Sequence, residues 1–241
     1  MTGTLATARR VLAQLGHDPR SVVMLLLLPS LLLLLFRYVF DRQPQVFERI
    51  GPQMLALFPF ILMFLITSVT MVRERISGTL ERLLTTPLRR GELIGGYAVA
   101  LSLVALVQSA INLAVGQWAL DLGLDRPWEG LLFAILSSVV GTALGLLASA
   151  FARTEFQAVQ FMPLVIIPQL LVCGLLVPVD QMPDVLRWLS VVMPLTYSTE
   201  AFSSLAAGGD PAERAVDLVV LVGFAAGSIA LASLTLRRRT P

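Results

Sequence analysis

Six long apolar stretches, separated by short polar links, constrain this chain more than any other feature of its sequence. They cover about residues 21–40, 53–72, 93–120, 130–152, 156–177 and 218–236. A helix that crosses a membrane needs about 20 predominantly apolar residues, and each stretch reaches or approaches that length. We therefore predict an all-α integral membrane protein in which residues 1–241 form a single transmembrane domain of six spanning helices.

The composition agrees with this fold class. The chain is 56% hydrophobic and only 14% charged, whereas a soluble globular domain carries about 25% charged residues. The first apolar stretch is interpreted as a span and not as a cleaved leader. It is long, and its end carries Arg37 and Tyr38 where a small-residue cleavage site would be expected.

Residue usage excludes several classes of function. The basic residues are all arginine, and a phosphate-binding Walker loop needs a lysine, so ATP hydrolysis by that route is excluded. A single cysteine, Cys173, and a single histidine, His17, favour neither a disulfide nor a metal cluster. A net charge of +2 gives no reason to expect nucleic acid as a partner. We predict no cofactor and no metal in this chain.

The densest run of charge, residues 73–92, lies between the second and third spans. Ser77 or Thr79 can cap a short helix by accepting from free backbone N–H groups, and Pro87 ends that helix and opens another. The pattern therefore predicts two short helices at the membrane surface. The alternative is a solvated loop whose arginines only set the membrane topology.

Two further segments are too short to span. In residues 1–18 the apolar side chains recur at helical spacing opposite Arg9 and Arg10, which predicts an interfacial amphipathic helix; a frayed tail is the alternative. Residues 178–212 alternate apolar and polar residues between prolines. They predict one or two short re-entrant helices on the outer side, covered by protein.

The arginines predict the orientation. With six spans both termini lie on one side, and twelve of the 18 basic residues fall on that side against six on the other. The positive-inside rule then places both termini and the charged run in the cytoplasm. We expect a multi-pass protein of the cytoplasmic membrane.

Polar side chains inside the spans are the candidates for a path through the membrane. They include Gln108 and Asn112 in the third span and Gln160 and Gln169 in the fifth. The alternative is that they form hydrogen bonds between helices. In the fourth span small residues recur every fourth position and predict a close-packing face: Ser137, Gly141, Gly145 and Ser149.

Ionisable residues are confined to the ends of the spans. An ion-coupled carrier usually needs one within a span, and paired catalytic carboxylates or a nucleophile motif are also lacking, which disfavours a membrane enzyme. The pattern favours transport that is driven from outside the membrane domain.

The charged run resembles the loop of the type-two permeases of ABC transporters, which reads ER-x-x-GTLE-x-LL-x-TP. The matching run is Arg73-x-Arg75-x-Ser77-Gly78-Thr79-Leu80-Glu81-Arg82-Leu83-Leu84-Thr85-Thr86-Pro87-Leu88. The segments 141–146, 154–157 and 193–197 also resemble that family, and the daunorubicin-resistance-type drug exporters are its most similar branch.

The resemblance implies partners and a role for the loop. It implies a second permease copy, in a homodimer, and separate ABC ATPase subunits that carry ATP and Mg²⁺. It also implies that about residues 78–84 form a coupling helix that docks on the ATPase, with the following contact residues: Arg75, Gly78, Thr79, Leu80, Glu81, Arg82, Leu83 and Leu84.

The sequence therefore predicts the membrane subunit of an ABC exporter, surrounded by membrane lipid, that moves an amphipathic drug, antibiotic or lipid outward across the cytoplasmic membrane. The predicted mechanism is alternating access at a dimer interface. One alternative is an ABC exporter of polysaccharide or glycolipid, which a stripe of aromatic residues would favour. Another is a stand-alone secondary carrier, which an inverted internal repeat would favour.

Overall fold

The computed structural model describes residues 2–78 and 90–235, and nearly all of them are helical. Nine α-helices follow one another along the described chain, and their bounds are these: α1 Thr2–Gly16, α2 Pro19–Val39, α3 Pro44–Ile76, α4 Arg90–Ala114, α5 Pro127–Ser149, α6 Glu155–Val172, α7 Asp184–Val191, α8 Pro194–Ala206 and α9 Pro211–Thr235. A π-helical turn, Val115–Ala119, extends α4, and a 3₁₀ turn, Val179–Gln181, precedes α7.

Six of these helices, α2 to α6 and α9, are long and apolar enough to cross a membrane, which confirms the predicted fold class. Five of the nine helices begin with a proline. Proline suits a first helical position because its missing N–H would be unpaired there and its φ is already helical.

The second spanning helix is longer than the sequence suggested. We expected a polar link over residues 41–52, but α3 already begins at Pro44. Phe47 faces the core while Glu48 and Arg49 are exposed, so the first turns of α3 are amphipathic and their charges do not interrupt the helix.

The core lies along the contact between α3 and α5. A Cβ added to Gly141 would collide with the carbonyl group of Phe60, and one added to Gly145 would collide with that of Phe64. The Ser137 hydroxyl donates to the Ala56 carbonyl at 3.1 Å. The small-residue stripe of α5 therefore lets two backbones approach closely, which is how helices gain packing energy within lipid.

The bundle has two distinct ends. We call the end where α3 finishes and α4 begins the loop end; α1 lies there against α4. We call the other end the gate end; it carries the short helices α7 and α8. The segment 79–89, which holds most of the predicted coupling helix, lies outside the described residues.

Candidate functional site

At the loop end, α1 is fixed to α4 by close packing. A Cβ added to Gly96 would lie 2.9 Å from the Thr4 carbonyl oxygen and closer still to the side chain of Thr7. Only glycine permits this approach. The helix predicted to lie in the interface therefore packs directly on the start of the third span.

Arg10 joins α1 to two spanning helices. Its guanidinium donates a hydrogen bond to the Tyr97 hydroxyl on α4 and lies 3.5 Å from a carboxylate oxygen of Glu74 on α3. The same guanidinium is 5.8 Å from the centroid of the Tyr97 ring, within the range of a cation–π contact. Tyr97 is fully buried, so the surrounding core residues fix the position of the side chain that Arg10 contacts.

The last turns of α3 are also tied to α6. Arg73 binds Glu155 with two hydrogen bonds, Nε to Oε1 at 3.0 Å and Nη2 to Oε2 at 2.9 Å. A two-point arginine–carboxylate pair fixes relative orientation as well as distance. Glu155 is the first residue of α6, and Thr154 caps that helix by accepting from the Gln157 backbone N–H at 3.2 Å.

Two of the predicted coupling residues lie within the described chain. Arg75 donates from Nη1 to the Ala152 carbonyl at 3.3 Å, so it joins α3 to the turn between α5 and α6. Gly78 follows α3 with a φ of +71°, the left-handed geometry that glycine adopts most readily after a helix. The other six lie outside the described residues: Thr79, Leu80, Glu81, Arg82, Leu83 and Leu84.

The segment 79–89 thus runs from the end of α3 to the start of α4, at a point where four helices are cross-linked by side chains. Arg10 connects α1, α3 and α4, and Arg73 connects α3 and α6. These contacts therefore hold the ends of α3 and α4 beside α1 and α6.

Two of the four predicted path residues face α2 from α4. Gln108 is fully buried and donates from Nε2 to the Leu25 carbonyl at 2.9 Å, while its Oε1 has no partner. Asn112, also fully buried, accepts from the Ser30 hydroxyl at 3.5 Å, and its Nδ2 has no partner. The contact between α2 and α4 is therefore polar, and not all of its buried polar atoms are hydrogen-bonded. Each buried polar atom without a partner lowers stability.

The other two path residues are separate from this pair. Gln160 is exposed on α6. Gln169 is buried, donates to the Val165 carbonyl at 3.0 Å and accepts from the Leu195 backbone N–H at 3.4 Å. The structure brings Gln108 and Asn112 together but not all four, and their place on a transport path remains a prediction.

The gate end holds a buried ion cluster that the sequence analysis missed. Arg214 on α9 donates from Nε to Glu129 of α5 at 2.8 Å and from Nη1 to the Gly209 carbonyl at 2.7 Å. Arg126 binds the other oxygen of Glu129 at 2.9 Å. One signal was available: a cation in the first turn of a helix opposes the helix dipole, so Arg214 needed a partner elsewhere.

Within the described residues, no group of three or more His, Cys, Asp or Glu side chains is placed to hold a metal ion.

Comparison with known proteins gives one family. The model of the ABC-2 type transporter family matches residues 2–206. The probable multidrug ABC transporter permease YbhR of Escherichia coli is 33% identical over 154 residues, which is 62% of this chain and 41% of that protein.

Two further relatives agree. The probable multidrug ABC transporter permease YbhS of Escherichia coli is 29% identical over 182 residues, 73% of this chain and 47% of that protein. The linearmycin resistance permease protein LnrN of Bacillus subtilis is 25% identical over 172 residues, 70% of this chain and 44% of that protein. The matched part of the chain therefore spans less than half the length of these three relatives.

Proposed function

The chain belongs to the ABC-2 type transporter family and is a transmembrane permease subunit, and from this premise we propose that it exports an amphipathic compound across the cytoplasmic membrane. The exported compound is a drug, an antibiotic or a lipid. The names of the relatives, which include multidrug and linearmycin resistance permeases, support this choice.

The observation that carries the proposal is the set of contacts at the loop end. Residues 79–89 connect α3 to α4. Arg10 joins both of these helices to α1, and Arg73 joins α3 to α6. In the proposed mechanism, residues 78–84 dock on a separate ATPase subunit, which binds ATP and Mg²⁺. Closure of the ATPase pushes this segment, and the contacts of Arg10 and Arg73 distribute the movement over four helices.

The proposed orientation places the loop end and both termini in the cytoplasm and the gate end outside. The predicted topology supports it, because six spans assign twelve of the 18 arginines in the sequence to the side of both termini. We further propose that two copies pair and open alternately inward and outward between them, with the compound moving along their interface.

Substitution of the coupling residues tests the proposal. We expect Glu81→Ala and Arg82→Ala to lower ATP-driven transport by tenfold or more at equal expression in the membrane. The matched control is Arg42→Ala, which removes an exposed arginine at the gate end and is expected to transport normally. Normal transport by both loop variants would exclude the coupling role.

Cross-linking tests the partner and the orientation together. In a background of Cys173→Ala, a cysteine at Leu80 or Leu84 is expected to capture the ATPase subunit, and a cysteine at the exposed Val185 on α7 is not. A thiol reagent that cannot cross the membrane should label the cysteine at 185 from outside and leave the one at 80 unlabelled. The reverse labelling would overturn the proposed orientation.

Energy dependence separates this function from a secondary carrier. Export in proteoliposomes should require the ATPase subunit and ATP, and an ion gradient without ATP should not support it. Transport that follows an ion gradient in the permease alone would instead identify a stand-alone carrier.

A further inference from the structure

Pro29 lies inside α2, the first spanning helix, and leaves one carbonyl of that helix without its backbone donor. In an α-helix each backbone N–H donates to the carbonyl four residues earlier. Proline has no N–H, so the carbonyl of Leu25 loses its partner within α2. Both residues are buried in the bundle, away from solvent. A membrane helix tolerates a proline where a neighbouring helix supplies the missing hydrogen bond.

Gln108 of α4 supplies that donor. Its Nε2 donates to the Leu25 carbonyl at 2.9 Å, and its side chain is fully buried. Only the Nε2 end of the amide can make this bond, because Oε1 has no hydrogen to donate. Oε1 is itself buried and has no partner among the described residues. The amide therefore leaves its acceptor unpaired in order to place its donor on the carbonyl that Pro29 frees.

The contact between α2 and α4 continues one helical turn further on. Asn112 follows Gln108 by four residues, so the two side chains lie on the same face of α4. Ser30, directly after Pro29, donates its hydroxyl to Asn112 Oδ1 at 3.5 Å. The helix α2 is thus bonded to α4 on both sides of its proline, through the backbone before it and through a side chain after it.

The two halves of α2 are attached to different parts of the bundle. The first half follows α1 after a two-residue link, and Arg10 fixes α1 at the loop end. The second half packs on α3, where Phe36 lies edge-on to Phe58 with ring centroids 5.6 Å apart. A helix bends most easily at a proline, because one bond of its backbone ladder is missing there. Pro29 therefore separates a half that is joined to α1 from a half that is joined to α3.

We propose that α2 is hinged at Pro29, and that Gln108 is the positioning residue that sets the bend by donating the hydrogen bond that the proline removes. When the loop end moves, the first half of α2 follows α1 while the second half stays with α3. The proposal rests on the proposed function only for the source of this movement. It gives Gln108 a bond between helices, which is the alternative to a place on the transport path.

A double-mutant cycle on the full-length permease in detergent tests the link between Gln108 and the proline. Gln108→Met keeps the length of the side chain and removes its donor, and we expect the midpoint of thermal unfolding to fall by about 4 °C. Pro29→Ala restores a backbone N–H to the Leu25 carbonyl. In that background Gln108→Met should cause no fall, because the amide is no longer needed. An equal fall in both backgrounds would overturn the proposal.

The matched control is a proline in another spanning helix. Pro163→Ala removes a proline inside α6, which is exposed and whose helix does not include the carbonyl that Gln108 binds. In this background Gln108→Met should lower the midpoint as much as in the unsubstituted permease. Loss of the Gln108 effect in Pro163→Ala as well would show that the coupling is not specific to Pro29, and it would overturn the proposal.

Distances between spin labels report the bend itself. Val23 and Tyr38 are exposed before and after Pro29. Val23→Cys with Tyr38→Cys, in a background of Cys173→Ala, therefore places one label on each half of α2. We expect a narrow distance distribution, a broader one after Gln108→Met, and a longer mean distance after Pro29→Ala, because a straight helix is longer from end to end. Equal widths with and without the Gln108 amide would overturn its role in setting the bend.

ATP-driven transport by the complex with the ATPase tests the hinge in action. We expect Pro29→Ala to retain the midpoint of unfolding but to lower transport several-fold, because a straightened α2 couples its two halves. A role of Pro29 in stability alone does not predict this separation. Full transport by Pro29→Ala at equal expression would overturn the hinge.

The unfolding and distance measurements need neither the ATPase nor ATP, so they separate this proposal from the proposed function. A Gln108 effect that Pro29→Ala abolishes, in a complex without ATP-driven transport, would retain the hinge and reject the export function. Normal export by the unsubstituted complex, together with equal effects of Gln108→Met in both backgrounds, would retain the export function and reject the hinge.

Discussion

The loop end and the gate end of the bundle both pair charges between helices, but the pairs differ in how deeply they are buried. At the loop end, arginines and glutamates pair between helices: Arg10 with Glu74 across α1 and α3, and Arg73 with Glu155 across α3 and α6. At the gate end, Glu129 is bound by two arginines, and its pair with Arg214 is buried between α5 and α9.

The difference separates two uses of a charged side chain in a membrane protein. A charge paired across two helices fixes their relative position and lets them move as one body. A buried pair is costlier to break than an exposed one, because removal of one partner leaves a buried charge uncompensated. We therefore expect the gate-end pair to contribute mainly to stability, and we propose that the loop-end pairs transmit movement.

The largest effect on stability is expected at the ion pair of Arg214 and Glu129, which is buried. Arg214→Gln leaves Glu129, which is only 8% exposed, with Arg126 alone, and we expect the free energy of unfolding to fall by about 3 kcal/mol. Unfolding in detergent, followed by circular dichroism, measures it. The control is Arg126→Gln, which removes a half-exposed partner of the same carboxylate and should lose about 1 kcal/mol. Equal losses would show that burial does not distinguish the two arginines.

The next largest effect on stability is expected from the packing of α1 against α4. Gly96→Ala would drive a methyl group into Thr7 and the Thr4 carbonyl, and we expect a loss of about 2 kcal/mol in unfolding free energy, with reduced ATP-driven transport. The neighbouring Gly95→Ala is the matched control, because its Cβ would lie at an ordinary 3.6 Å from Thr4. If both substitutions had the same effect, close contact between α1 and α4 would not explain the result.

The spanning helices could be predicted from the sequence because a long apolar run has few alternatives to a helix in lipid. The close-packing stripe of α5 could also be predicted, since small residues at every fourth position mark one face. The start of α3 could not be predicted in this way. Glu48 and Arg49 interrupt the apolar run in the sequence, but in the structure they lie on the exposed face of a continuous helix.

The candidate sites were predicted only where they are local in sequence. The loop next to Arg75 and Gly78 is a continuous motif, whereas the pairing of Glu129 with Arg214 joins residues that are 85 positions apart. Hydrophobic periodicity identifies helices, but it does not specify which polar residues on different helices meet.

The smallest effect on stability is expected for the pair of Arg73 and Glu155, because both side chains are largely exposed. Exposed ion pairs contribute under about 1 kcal/mol, so Arg73→Gln should lower the unfolding free energy by about 0.5 kcal/mol. If the pair transmits movement from α3 to α6, ATP-driven transport should nevertheless fall clearly in Arg73→Glu and in Glu155→Arg. The double variant, which restores the pair with exchanged charges, should recover transport. A double variant that transports no better than the single ones would show that Arg73 contributes only its charge, and the assignment of transmission to the loop end would then rest on the contacts of Arg10 alone.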